Sequence, residues 1–162
     1  MRKLLFFLYI VSLLAVLIGF YGMNVFTESI EEDGTGGGNG NPALFILVFL
    51  MPFLFYFLYG TTELSMRFVE RYKKRRTLVI SLVFSVVATI SIGVYTFLKA
   101  QALRNEIIQR LENFDDVSQI SLWNAFSNSV FFNPLTFILV ILVCYIFGVI
   151  WNSSKNRRKK IL

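Results

Sequence analysis

The sequence predicts an all-α membrane protein: four transmembrane helices, with an external amphipathic helical segment between the third and the fourth. Three observations carry this. Of 162 residues, 56% are hydrophobic and 16% charged, where a soluble domain averages about a quarter charged. The apolar residues gather into four long runs. The basic residues flank those runs on one side.

A helix rises ~1.5 Å per residue, so about 20 apolar residues cross the hydrocarbon core. Four runs are long enough: 4–26, 43–60, 77–98 and 131–151. None holds a Lys, Arg, Asp or Glu in its interior. Lipid offers the backbone no hydrogen-bond partners, so the runs must be helices. Short alternating segments, which a barrel needs, are absent. The first run has the basic start of a signal peptide. Its apolar stretch is too long for that, and no small-x-small cleavage site is evident, so a retained anchor is expected.

Charge sets the orientation. Arg2 and Lys3 precede the first run. Arg67, Arg71, Lys73, Lys74, Arg75 and Arg76 follow the second, and Lys155, Arg157, Arg158, Lys159 and Lys160 follow the fourth. The other side has Lys99, Arg104 and Arg110 with eight of the ten acids. The positive-inside rule then places both termini in the cytoplasm. With no disulfide and short loops, a multi-pass protein of a bacterial plasma membrane is expected. Asn152-Ser153-Ser154 matches a glycosylation sequon but falls on the cytoplasmic side.

The loop 27–42 is acidic, then glycine-rich, from Glu28, Glu31, Glu32 and Asp33 into Gly34–Asn41. It reads as a flexible tether. Its oxygens also suggest a weak calcium loop, but the EF-hand spacing is missing. The basic loop 61–76 is expected to continue the second helix, with Glu63 and Arg67 four apart. Lys73, Lys74, Arg75 and Arg76, together with Lys159 and Lys160 of the tail 152–162, suit anionic lipid headgroups. A nucleic-acid or protein docking patch is the sharper alternative for the same cluster, and the lipid reading is preferred.

The segment 99–130 is the most informative soluble part. Leu103, Ile107, Leu111 and Phe114 recur at helical spacing, and Trp123 is a natural interface anchor. Asp115 or Asp116 is placed to cap a following short helix. A helical hairpin or broken amphipathic helix over the external mouth is expected. Its apolar stripe would rest on lipid or on the bundle, or would serve as a partner-binding lid.

Small residues line one face of two spans: Ser12, Ala15, Gly19 and Gly22 in the first, and Ser81, Ser85, Thr89 and Gly93 in the third. Such faces allow close helix approach. The expectation is a tight parallel contact between the first and third spans, or oligomerisation through either face. Leu at Gly93 and Ser85 should weaken that contact. Pro52 should kink the second span.

Little in the sequence suggests chemistry. There is no His, and the one cysteine, Cys144, lies mid-span. No catalytic, metal or cofactor residues are assigned, and no cofactor is expected. The leading expectation is a non-enzymatic accessory, regulatory or immunity-type protein that binds another membrane protein. A homo-oligomeric, holin-like pore or small transport protein is one alternative, for which the third-span hydroxyls would line an axis. A lipid-handling protein is another, suggested by 18 Phe residues and the basic flanks. Anionic lipids and a membrane protein, or a second copy, are the expected partners; nucleic acid is not.

Overall fold

The computed structural model describes residues 3–30, 40–71, 75–110 and 116–158; the side chains of Arg75, Val117 and residues 154–158 are outside that description. Within it the chain is helical, with no strand among the described residues. The long helices are α1 (Lys3–Val25), α2 (Ala43–Arg71), α3 (Arg75–Arg110) and α5 (Pro134–Arg158). All four are long and apolar enough to span a membrane. Between α3 and α5 lie two 3-10 turns, Val117–Gln119 and Ala125–Ser127, and the single-turn α4 (Asn128–Phe131).

The helix starts are encoded locally. Asn41 precedes Pro42, and its Oδ1 accepts from the Ala43 backbone N–H at 3.0 Å. Asn133 precedes Pro134, and its Oδ1 accepts from the N–H groups of Leu135 and Thr136. The Thr136 hydroxyl accepts in return from the Asn133 N–H at 3.1 Å. Each Asn thus satisfies orphan donors while proline opens the helix with a preset φ. The fourth span therefore begins at Pro134 rather than near Phe131. α2 continues unbroken through Pro52.

Two helices overshoot the hydrocarbon. α3, at 36 residues, is about 54 Å long against a core of about 30 Å. Nothing between Leu98 and Arg110 breaks it, so residues 99–110 extend the third helix rather than start a new element. α2 overshoots at the other end through Arg71, where Arg67 bonds Glu63 one turn back.

The packing order is α1 against α2, α2 against α5, and α5 against α3. The expected contact between the first and third spans is therefore corrected: among the described residues α1 and α3 do not form a packed pair. The reason lies in what fills a small-residue face. A Cβ on Gly19 would come within 2.5 Å of Leu50 Cδ2, and one on Gly22 within 3.2 Å of Ile46 Cδ1, both on α2. Ala15 packs against the core and Ser12 is buried. On α3, Ser81 Oγ meets Tyr145 Oη of α5 at 2.6 Å, and Ser85 is buried. Each small face received bulky side chains of a neighbour, not the other small face. Gly93 packs against nothing: a Cβ there would find no atom within 4 Å. α3 is the peripheral helix, with 6% of its most apolar window buried against 22% in each of the others.

The core lies among α1, α2 and α5. Tyr9, Val16, Leu50 and Phe57 are its buried members, flanked by Phe20, Leu54, Phe137 and Val140. Phe57 is stacked between Tyr9, 6.2 Å away, and Phe137, 5.6 Å away. Phe137 meets Phe20 edge-on at 5.6 Å, Phe20 meets Phe132 at 5.4 Å, and Phe132 meets Trp123 at 5.5 Å. Rings from α1, α2 and α5 thus form one continuous chain that ends in the α3–α5 connection. Each such pair adds about 0.5–1.5 kcal/mol beyond area burial.

One buried polar link crosses this core, Tyr9 Oη to Thr61 Oγ1 at 3.2 Å. Interhelical hydrogen bonds in membranes average about 0.6 kcal/mol and reach about 1.7. Tyr9→Phe is expected to cost about 1 kcal/mol, because the ring keeps its stack on Phe57. Unfolding in mixed micelles checks this; a loss as large as that of Tyr9→Ala would show that the hydroxyl carries the contact.

Candidate functional site: the cap and its cleft

The helix ends opposite the termini are covered by a cap made of residues 26–30, 40–42, the last turns of α3 and residues 116–133. Its apolar centre is Ile107, Ile120 and Phe126, with Ile30, Leu103 and Ile108 packed around them. Local caps shape the chain there. Asp116 Oδ1 accepts from the Ser118 N–H at 3.0 Å. Asn124 Oδ1 accepts from Phe126 and Ser127, and the Ser127 hydroxyl accepts back from the Asn124 N–H at 2.8 Å.

Asn128 holds the cap to the bundle. It is fully buried. Its Nδ2 donates to the carbonyls of Phe26 at 3.0 Å and Ala125 at 3.2 Å. Its amide pairs reciprocally with that of Asn41, at 2.8 and 3.0 Å. Its Oδ1 also accepts from the Trp123 indole N–H at 2.9 Å. One side chain therefore joins the end of α1, the start of α2 and the cap. Nearby, Asn24 Nδ2 donates to the Phe132 carbonyl at 2.8 Å, and the Glu28 N–H to the Ala125 carbonyl at 3.1 Å.

Among the described residues, two clefts at this end are lined by more than one helix. The first, about 460 Å³, lies between the start of α2, the end of α3 and the cap. Leu44, Ile107, Ile120 and Phe126 give it apolar walls. Glu28, Asn41, Gln119, Ser121, Trp123 and Asn124 bring polar groups to it. Asn41, Asn124 and the Trp123 N–H are occupied within the cap, and the Ser121 hydroxyl donates to the Trp123 carbonyl. Glu28 is the one charged residue among the described residues that line this cleft. The second cleft, about 340 Å³, lies between α1 and α5 and is mainly apolar, with Leu17, Phe20, Phe137 and Ile138 in its walls.

The sequence-derived candidates fall unevenly on this geometry. Leu103 and Ile107 turn into the centre of the cap, so most of their apolar surface is used within the chain. Trp123 is half-buried and borders the first cleft. Leu111, Phe114 and Asp115 lie outside the described residues, as do Glu31, Glu32, Asp33, Lys73, Lys74, Lys159 and Lys160. Arg76 is exposed at the start of α3. Cys144 is buried in α5. Among the described residues no group of three or more His, Cys, Asp or Glu is placed to hold a metal ion.

The sequence reading passed over Asn41, Asn124, Asn128 and Asn133. The Asn-Pro pairs at 41–42 and 133–134 were the available signal for two of them; Asn128 had none. Comparison with protein-family models, curated proteins and solved structures finds no match.

Proposed function

We propose that this is a non-enzymatic accessory or regulatory protein of the plasma membrane, of the kind that includes immunity proteins, and that it binds another membrane protein through its cap. The observation that carries this reading is the cap itself. A fully buried hub, capped turns and a dedicated apolar cluster fix the shape of a segment that the spans alone do not require. A cleft with an apolar floor and a polar rim on such a scaffold is the form of a recognition site. Both termini lie in the cytoplasm in this reading, because the basic residues gather at their end, and the cap faces outside.

Two experiments test it. With Cys144 buried, cysteines introduced singly at Gln119 and Ser153 report orientation. An impermeant maleimide should label Gln119→Cys in intact cells and Ser153→Cys only after lysis; the reverse pattern would invert the topology. Gentle extraction, affinity capture and intact-complex mass measurement should then return a stoichiometric second membrane protein. A clean homo-oligomer would overturn the accessory reading. A pore draws little support from α3, whose Ser81 and Ser85 turn to α5 and into the packed interior. Lipid handling is the second reading, favoured by the apolar cleft between α1 and α5.

A further inference from the structure

We infer that the cleft between α1 and α5 holds one acyl chain of a membrane phospholipid, anchored at its head by the Tyr21 hydroxyl. The inference is independent of what the cap binds. Both helices pack on α2, and among the described residues they form no packed pair with each other. A gap of about 340 Å³ is left between them. Its floor is aromatic: Phe20 and Phe137 meet edge-on at 5.6 Å, and both pack on the buried core. Its lips are Leu17, Tyr21 and Ile138, all three exposed. The gap therefore opens sideways, between two helices long and apolar enough to span a membrane, and what surrounds such helices is lipid.

Size separates a lipid chain from a partner's helix. The gap runs from Asn24 to Leu17 along α1, about 10 Å of helix rise. A helix with its side chains is about 10 Å across, so that length of it fills roughly 800 Å³, more than twice the gap. An extended hydrocarbon chain is narrower. The asparagines at the upper end are spent within the protein. Asn24 Nδ2 donates to the Phe132 carbonyl, and the Asn133 amide serves its own turn and the start of α5. Tyr21 differs. It is 73% exposed, and among the described residues no hydrogen bond engages its hydroxyl. It stands about one turn before the end of α1, the level at which tyrosine meets the headgroup region. A chain in the gap brings its ester and phosphate oxygens to that height, where the phenol can donate to them.

The test uses the full-length protein in mixed micelles, with a trace of phosphatidylcholine carrying a diazirine midway along one acyl chain. After illumination the label should saturate at one per protein and fall on residues 17–24 and 132–138. Excess unlabelled phosphatidylcholine should displace it. Val83, Phe84, Val87 and Ile90, exposed on the peripheral helix, report lipid that is merely passing. Ile138→Trp fills the gap from an exposed position and should lose the label. Leu135→Trp, exposed on the same helix but outside the gap, should keep it. Tyr21→Phe keeps the ring and should weaken retention about fivefold. Intact-mass measurement after gentle extraction should find one phospholipid per protein.

Label as dense on α3 as on 17–24, or label unchanged by Ile138→Trp or by Tyr21→Phe, would overturn the inference. An intact mass with no lipid, or with a free fatty acid in its place, would overturn it too. A membrane protein that cross-links at 17–24 and displaces the lipid would also overturn it, while leaving the reading of the cap as a docking surface to its own test.

Discussion

Gly148→Ala is expected to destabilise the bundle by about 2 kcal/mol, and Gly148→Leu by more, as α5 is pushed off α2. The added Cβ would sit 2.7 Å from Ser65 Cβ, 3.0 Å from the Thr62 carbonyl oxygen and 3.2 Å from the Met66 backbone nitrogen. Two of those three neighbours are backbone atoms of a continuous helix, so neither can swing aside as a rotamer does. α2 would have to shift as a body, and α2 also carries Phe57, stacked between Tyr9 and Phe137. Gly93→Ala is the matched control. Its Cβ meets nothing within 4 Å, and alanine removes a helix penalty of about 0.5–1 kcal/mol. It should therefore be neutral or slightly stabilising. Gly19→Ala should fall between, because the obstacle there is the tip of Leu50. Unfolding of the three variants in mixed micelles decides the order. If Gly148→Ala is as harmless as Gly93→Ala, the α2–α5 contact is looser than the structure has it.

That order differs from what a small-residue pattern suggests by itself. The sequence singled out Gly93 within a regular stripe and said nothing of Gly148, which stands alone among Phe147, Val149 and Ile150. A stripe identifies a face that allows close approach. It does not say what approaches, and here the complement of Gly19 is Leu50 and a partner of Ser81 is Tyr145. The spans themselves were legible because the bilayer sets their length and hydropathy residue by residue along the chain. Which helices touch depends on shape across segments far apart in sequence. The extension of α3 through residues 99–110 was half legible: the apolar spacing of Leu103 and Ile107 was plain, and the lack of a breaker after Leu98 was the missed cue. Glu28 read as one acid of a flexible tether. Its place at the cleft comes from a backbone bond to Ala125, 97 residues away.

Asn128→Leu is expected to open the cap while leaving the membrane-spanning core folded. The change is nearly isosteric, so it isolates the hydrogen bonds. It removes the bonds to the Phe26 carbonyl, the Asn41 amide and the Trp123 N–H at once, and leaves the Ala125 carbonyl with the Glu28 N–H alone. A buried polar group left unsatisfied costs about 1–3 kcal/mol. The cap lies at the ends of the long helices, and water that reaches some of these groups once they loosen would lower the cost, so a total of about 3 kcal/mol is expected rather than the full sum. Asn128→Asp keeps the acceptor for Trp123 and Asn41 but loses both bonds to the carbonyls and buries a carboxyl, so it should not rescue. The loss should be local. Ile107, Ile120 and Phe126 form a cluster separate from Tyr9, Val16, Leu50 and Phe57, and separate clusters can open as separate units. Hydrogen exchange should accelerate across 116–133 and at 40–42, with the middle of α1, α2 and α5 still protected, and Trp123 emission should move to the red. Since Asn41 and Trp123 border the cleft and both are held by Asn128, the same variant should also reshape the cleft with its spans intact. Unchanged exchange across the cap would show that the aromatic contact from Phe132 to Trp123 and the bond from Glu28 to Ala125 suffice to hold it.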